Sequence, residues 1–385
     1  AILDRKTAGA VNITASHNPY TDDGYKLRSE YGGAAAPDVL HEVEALIGAA
    51  SDIKAMPLDE AALSGLFERI DPAPAYTAQL STLVDLDRLR DAGLHIAVDP
   101  MWGVGVGWFD RLIGGGNTRL TSVHNGRNPL FPDMERPEPI EQNLRTLQRT
   151  VRQVKADLGI ANDGDADRVG VVDENGRFVN QLEVYALLAL YLLEVRGWRG
   201  PLVKTVTTTM MAKKLAARYD VPVYETGVGF KYVAPKMIEV DAIMGGEESG
   251  GFAFRGHLPE RDGLLAGLFV LDLVVRKEKT VSQLLDYLFE LVGPHYYERI
   301  DTELEPSEKP AIVERVRAAR PTEIAGLQVT EIDTTDGFRY VLGDEGWLLI
   351  RFSGTEPVVR VYTETTRQDK VQAILAAGLQ LAGLK

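Results

Sequence analysis

The stretch Ala10-Val11-Asn12-Ile13-Thr14-Ala15-Ser16-His17-Asn18-Pro19 decides how the rest of the chain is read. Residues 10–13 form a short apolar run that reads as a buried strand, and Pro19 bars its simple continuation. A strand that stops at a small hydroxyl residue leaves that hydroxyl at the carboxyl edge of a sheet, where ligands bind in open α/β folds. Ser and Asn also populate ordinary turns, so the stretch alone is ambiguous. A Ser16–His17 catalytic pair is disfavoured, because neighbours in extended chain point to opposite faces and His17 then cannot serve Ser16 as its base. Three later loops supply what a phosphorylated serine would need.

The pattern around that stretch repeats. At 385 residues the chain exceeds one ordinary domain. Apolar periodicity predicts helices over 38–50, 76–89, 140–154, 183–195, 210–219, 263–275 and from about 367, and strands over 94–100, 158–161, 169–172, 202–206, 222–224 and 242–244. Asp71-Pro72-Ala73-Pro74 reads as a linker. From about 296 the character changes to short strands, including 327–333 and 346–352. Strand, loop and helix recur in three blocks, followed by a smaller mixed block: an α/β fold with a parallel core is the expectation.

Composition narrows the function. Forty-two Lys and Arg against 56 Asp and Glu give a formal net charge of −14, which disfavours nucleic acid and anionic membrane as partners. A small anionic substrate responds to a local basic cluster and stays compatible. The absence of cysteine removes disulfides, thiolate nucleophiles and Cys-ligated zinc, and agrees with a cytoplasmic location. No apolar run of transmembrane length and no signal-peptide pattern appears. No motif sets an oligomeric state.

The second loop is Asp163-Gly164-Asp165-Ala166-Asp167-Arg168. In extended chain its three carboxylates face one side; they repel unless a cation lies between them, and oxygen-only ligation suits Mg²⁺. An EF-hand would place Glu174 at its twelfth position, but Arg168 stands where that loop needs Gly, and strands flank the segment. The third loop, Gly245-Gly246-Glu247-Glu248-Ser249-Gly250-Gly251, sets Glu247 and Ser249 on one side if extended, a match for sugar hydroxyls. The fourth, Arg351-Phe352-Ser353-Gly354-Thr355-Glu356-Pro357, combines a guanidinium, hydroxyls and backbone N–H groups into an anion nest suited to phosphate. Each loop has an ordinary turn as its alternative. Together they offer a hydroxyl acceptor, a metal site, a sugar site and a phosphate anchor.

These four motifs, in this order, resemble the α-D-phosphohexomutase superfamily of phosphoglucomutases and phosphomannomutases, over essentially the whole chain. The resemblance implies three similar α/β/α domains with mixed sheets plus a smaller C-terminal α+β domain, around a central cleft. The expected division is 1–74 (phosphoserine domain, without the segment that precedes the serine strand in the family and expected to belong to a longer chain), 75–197 (metal), 198–297 (sugar) and 298–385 (phosphate). It implies that Ser16 is the phosphoserine, that Asp163, Asp165, Asp167 and an oxygen of Ser16 hold Mg²⁺, and that Arg168 orients the site. Glu247 and Ser249 would bind sugar hydroxyls, and Arg351, Ser353, Gly354 and Thr355 the non-reacting phosphate. Lys26 matches the family's active-site lysine and is the proton-transfer candidate, with His17 in a lesser, positioning role. Lys204 and Lys231, the latter in Gly227-Val228-Gly229-Phe230-Lys231-Tyr232, are cleft cations.

The implied activity interconverts hexose 1-phosphate and hexose 6-phosphate through a 1,6-bisphosphate, with glucose 1,6-bisphosphate as activator and intermediate and hexose phosphate as partner. Glu248 between Glu247 and Ser249 favours glucose, with mannose alongside, over glucosamine, whose mutases usually carry Gln there. The alternatives are a phosphoglucosamine mutase and, in another class, an inactive sugar-phosphate-binding relative. A haloacid-dehalogenase phosphatase, with Asp163 as nucleophile, leaves the serine loop without a purpose.

Overall fold

The computed structural model describes residues 1–48, 50–343, 346–353 and 357–384. Strands β1 (Ala10–Ile13) and β2 (Tyr25–Arg28) pair antiparallel as a hairpin, Asn12 opposite Lys26. Gly24 is required where the hairpin closes, since a Cβ there would stand 2.1 Å from the Thr14 carbonyl oxygen. Val11, Ile13 and Tyr25 are exposed on it, so β1 is not the buried strand that its apolar run predicts.

The second sheet comprises β3 (His95–Asp99), β4 (Arg119–Ser122), β5 (Leu158–Asn162), β6 (Val169–Val172) and β7 (Phe178–Val179) in the order β4-β3-β5-β6-β7. β4, β3 and β5 run parallel, while β6 and β7 return antiparallel. The third contains β8 (Leu202–Thr205), β9 (Val223–Thr226), β10 (Met244–Gly246) and β11 (Phe252–Phe254) in the order β11-β10-β8-β9, again a parallel core with one antiparallel edge strand. Both sheets therefore use the same device: a parallel strand ends, its loop turns at the carboxyl edge, and an antiparallel neighbour returns. The acidic loop is that turn in one sheet and the glycine-rich loop in the other.

Two helices join these sheets. Gln181–Leu190 is buried at every position, and Gly263–Lys277 from Gly263 to Val274. Both are mostly apolar on every face, as an interior helix must be, with Gln181, Glu183 and Asp272 as buried polar exceptions. Leu158 and Ile160 of one sheet and Leu202, Met244 and Phe252 of the other belong to one hydrophobic cluster with them.

The last sheet is antiparallel throughout: β12 (Tyr296–Glu303), β13 (Glu323–Ile324), β14 (Leu327–Asp333), β15 (Phe338–Leu342), β16 (Trp347–Phe352) and β17 (Val358–Thr365), ordered β12-β17-β16-β15-β14-β13. It packs on the helices Lys309–Ala318 and Val371–Ala382 around a core of its own that includes Val316, Leu348, Ile350, Val361 and Ile374.

Several local expectations change. The helix predicted over 76–89 is two, Ala73–Leu83 and Leu86–Asp91, because Val84 is extended and the Asp85 carboxylate caps the second by accepting from the Arg88 N–H. The first begins inside the predicted linker, where Pro74 suits a first helical turn. The segment 227–232 leads into a helix, Phe230–Glu239, that periodicity did not single out. Among the described residues no helix is long and apolar enough to cross a membrane.

Candidate active site

Ser16 follows the end of β1 with φ +57°, a left-handed backbone uncommon for a non-glycine residue. Its N–H donates to the Thr14 hydroxyl (2.8 Å) and its hydroxyl to Asp165 Oδ1 (3.1 Å). The other oxygen, Asp165 Oδ2, accepts from the Thr14 hydroxyl (3.2 Å) and from Lys26 Nζ (3.5 Å). Lys26 is directed here by its register opposite Asn12. The left-handed turn also corrects the face argument: the chain is not extended at Ser16, and His17 Nδ1 lies 3.4 Å from Ser16 Oγ. Burial, and then Arg168 nearby, lower the His17 pKa to about 3, so the imidazole beside the serine is neutral near neutral pH.

The acidic loop approaches the serine backbone closely. A Cβ on Gly164 would meet the Ser16 carbonyl oxygen at 2.5 Å, so only glycine fits there without displacement. The three carboxylates converge, each offering an oxygen within 4.8 Å of the others. The cause is not strand alternation. The loop is a turn in which the Ala166 N–H donates to the Asp163 carbonyl (3.0 Å) and Ala166 has φ +60°.

The site is short of positive charge. Asp163 is fully buried; burial, followed by Asp167 and Asp165, pushes its carboxyl well above the usual carboxylate range. Burial also raises Asp167. Asp165 is opposed by burial too, but Lys26, Arg261 and the Ser16 hydroxyl hold its pKa low. Asp163 Oδ2 and Asp167 Oδ1 are buried without a hydrogen-bond partner. Unpaired buried oxygens in an all-carboxylate set fit a hard divalent cation. The residues present can hold a metal ion.

Arg168 lies 3.8 Å by Nε from both Asp163 and Asp167, and its Nη1 donates to Glu138 (2.8 Å). Its backbone joins the acidic loop to the glycine-rich loop through a bridge with Gly251, reinforced by the Val169 N–H donating to the Gly250 carbonyl (3.0 Å). Glu247, 6% exposed, therefore lies beside the aspartates. Burial raises its pKa, opposed chiefly by Arg261. The expectation that Glu247 and Ser249 share a side of extended chain is replaced by a tight turn, closed by the Gly250 N–H on the Glu247 carbonyl (3.2 Å), with Ser249 half-buried in it.

Arg261 went unread in the sequence. Its Nη2 is 2.7 Å from Asp167 and its Nη1 3.5 Å from Glu247, so one guanidinium links the acidic and glycine-rich loops. The adjacent Glu260 pairs with Arg28 of β2. Glu260-Arg261-Asp262 stands just before an apolar helix, where charges ordinarily mark a solvated first turn; the position carries no spacing signal.

The remaining candidates divide. Arg351, near the end of β16, is 3.1 Å by Nε from Asp336, whose other oxygen accepts the Val228 N–H (2.8 Å). Ser353 is buried, its carbonyl accepting from Lys309 Nζ (2.7 Å). Gly354 and Thr355 lie outside the described residues. Lys231 is exposed, its ammonium 5.1 Å from the Tyr232 ring centroid. Lys204 does not face a cleft. It is fully buried, with Nζ on Glu225 (2.7 Å) and on the Thr208 (2.9 Å) and Thr205 (3.4 Å) carbonyls, so all three of its N–H groups are engaged.

Glu248 also departs from its expected use. Its Oε1 accepts from the Tyr297 hydroxyl (2.6 Å) and from Arg299 Nη1 (3.0 Å) of β12. The side chain turns away from Glu247 toward the last sheet, which removes the basis for reading sugar preference from this position.

Comparison with known proteins agrees with this geometry. Four families match in order: phosphoglucomutase/phosphomannomutase alpha/beta/alpha domain I over residues 1–54, domain II over 74–176, domain III over 181–292, and the C-terminal domain over 303–379. A phosphoglucomutase/phosphomannomutase of Thermococcus kodakarensis is 32% identical, over 97% of this chain and 78% of its own length. A protein of Methanopyrus kandleri named as a probable phosphoglucosamine mutase is 31% identical, over 94% and 76%. The solved structure of a candidate phosphomannomutase from Thermus thermophilus superposes with a TM-score of 0.84 at 31% identity, covering 99% of this chain and 80% of that one.

Proposed function

The chain belongs to the phosphoglucomutase/phosphomannomutase family of intramolecular phosphotransferases, and from that premise we propose that it interconverts hexose 1-phosphate and hexose 6-phosphate with Ser16 as phosphoryl carrier. The observation that carries the reading is the Ser16 hydroxyl 3.1 Å from Asp165, within a converging triad of aspartates whose buried oxygens lack partners.

The cycle balances as two transfers. A sugar hydroxyl oxygen bonds to the phosphorus of phospho-Ser16 as the bond from that phosphorus to Ser16 Oγ breaks. The hydroxyl proton leaves the sugar and Ser16 Oγ regains a proton, giving a 1,6-bisphosphate. The intermediate turns, and its other phosphoryl group returns to Ser16. Such transfers demand positioning and charge neutralisation more than covalent help. Lys26 is the proton carrier in this reading, and neutral His17 positions the serine. Asp163, Asp165 and Asp167, with an oxygen of Ser16, would hold Mg²⁺, which when bound supplies charge neutralisation at the transferring phosphoryl group. Arg168 orients the aspartates, Glu247 and Ser249 take sugar hydroxyls, and Arg351 with the 353–355 segment takes the distal phosphate. Lys231, exposed in the first turn of the helix Phe230–Glu239, is a further candidate cation for the substrate.

Glucose and mannose phosphates are the substrates proposed first. A phosphoglucosamine is the second reading, favoured by the likeness to the Methanopyrus kandleri protein. The test is a coupled turnover assay with Mg²⁺ and a trace of glucose 1,6-bisphosphate, comparing the three 1-phosphates. Ser16→Ala should abolish turnover yet still bind sugar phosphate; unchanged turnover in that variant would end the phosphoserine reading.

A further inference from the structure

The third and fourth domains meet through carboxylates facing donors. Glu225 accepts from Arg339, Glu364 from the Thr209 hydroxyl and the Met210 N–H, Asp336 from the Val228 N–H, and Glu248 from Tyr297 and Arg299. Glu248 differs from the others by its place, between Glu247 and Ser249 in the turn that faces the aspartates. Its receiving end is rigid. Tyr297 packs against the buried cluster of Val206, Trp347, Leu349 and Tyr362 that seals the two domains. Arg299 is held in turn by Asp301 (2.8 Å) and lies 5.8 Å over the Tyr362 ring centroid. β12 pairs along its whole length with β17, and β17 pairs with β16 up to Arg351 and Phe352. A continuous path of hydrogen bonds thus leads from the sugar-side turn to the strand that carries the candidate phosphate anchor.

We propose that Glu248 is a positioning residue that clasps the sugar-side turn to the phosphate-side sheet, so that the bisphosphate intermediate stays on the enzyme between its two transfers. The proposal rests on the mutase reading above. In that cycle the intermediate must reorient, and its grips must loosen and re-form together. If one grip releases independently of the other, the bisphosphate escapes with the phosphoryl group that came from Ser16. The enzyme is left unphosphorylated and needs a bisphosphate from solution to resume. Loss of the clasp therefore reads out as leakage of intermediate, not as a change in sugar choice.

The experiment uses full-length protein carrying radiolabelled phosphate on Ser16, mixed with Mg²⁺, glucose 1-phosphate and excess unlabelled glucose 1,6-bisphosphate. The measured quantity is the ratio of label in free bisphosphate to label in glucose 6-phosphate. Glu248→Ala should raise that ratio about tenfold, the scale of one charge-assisted hydrogen bond. Tyr297→Phe, which removes one oxygen from the opposite side, should shift it in the same direction, and it carries the test if the alanine variant folds poorly. Glu248→Gln, which retains an acceptor for the Tyr297 hydroxyl, should restore part of the retention. A merely structural role would lower stability or kcat and leave the ratio alone. A wild-type ratio in both Glu248→Ala and Tyr297→Phe overturns the clasp. Wild-type protein that passes no label to any sugar phosphate overturns the mutase reading instead.

Discussion

Asp163, Asp165 and Asp167 lie in the turn after β5, and Glu225 lies in β9 of the neighbouring sheet; both are acidic sites inside parallel α/β layers. Around Glu225 stand Lys204 at 2.7 Å, Lys213 at 2.9 Å and a bidentate Arg339 at 2.8 and 3.1 Å, with Asp333 as a second acid on Arg339. Burial opposes the charge on Glu225, but Lys204 and Arg339 hold its pKa far below the usual carboxylate value. Around the three aspartates the cations are shared: Arg168 with Glu138, Arg261 with Glu247 and Glu260. Burial raises Asp163 and Asp167, and these shared cations do not offset it. One cluster is closed by its own cations and the other is not. Buried acid alone does not mark a site; a shortfall of positive charge that protein groups leave uncorrected does.

The largest effect expected from this contrast is loss of activity without loss of fold. Asp163→Asn should lower turnover by about 10³-fold, the scale of removing one preorganised electrostatic contact, while the unfolding midpoint in urea, measured without divalent metal, holds or rises, because burial and the neighbouring aspartates oppose the charge on Asp163. Chelation of divalent metal should abolish turnover and added Mg²⁺ should restore it. A variant that unfolds readily yet turns over normally per folded molecule would undo the contrast.

Glu225→Gln should do the reverse. It leaves Lys204 and Arg339 buried beside a neutral group and should cost about 3–5 kcal/mol of stability, with turnover per folded molecule retained. The pH dependence has a definite sign. The folded Glu225 pKa lies below its ordinary value, so its contribution is present above the ordinary carboxylate range and is lost as pH falls from there toward the folded value. Urea midpoints measured downward from about pH 6 should therefore decline less steeply in Glu225→Gln than in the wild type.

The smallest effect concerns Glu248. Because its carboxylate faces Tyr297 and Arg299, Glu248→Gln should leave the ranking of glucose, mannose and glucosamine 1-phosphates unchanged within about twofold, the scatter of independent sites. A switch toward glucosamine would place this side chain against the sugar after all.

Much of the fold was legible because its signals are local. The strands expected over 158–161 and 169–172 and the helix expected over 263–275 announce themselves as apolar runs and are found at Leu158–Asn162, Val169–Val172 and Gly263–Lys277. The carboxyl-edge loops follow from where those runs stop. Elsewhere local rules reached a correct place by a wrong route. The aspartates converge through a turn with Ala166 left-handed, not through strand alternation. At the serine the local rule failed outright: it set His17 on the opposite face, whereas Ser16 is itself left-handed and His17 lies 3.4 Å from it. The break at Val84 was available in principle from Asp85, three residues before the Arg88 N–H that it caps.

Residue order alone is enough to name the ingredients: which loops carry hydroxyl, carboxylate, glycine and guanidinium, their succession, and the α/β architecture that brings strand ends to one edge. How charge is apportioned among them emerges only in the folded molecule. Folding buried Lys204 on Glu225, turned Glu248 toward the last sheet, and set Arg261 between Asp167 and Glu247. Hydrophobic periodicity is a property of neighbours along the chain, whereas a charge takes whatever partner the folded backbone brings within a few ångströms, at any sequence distance.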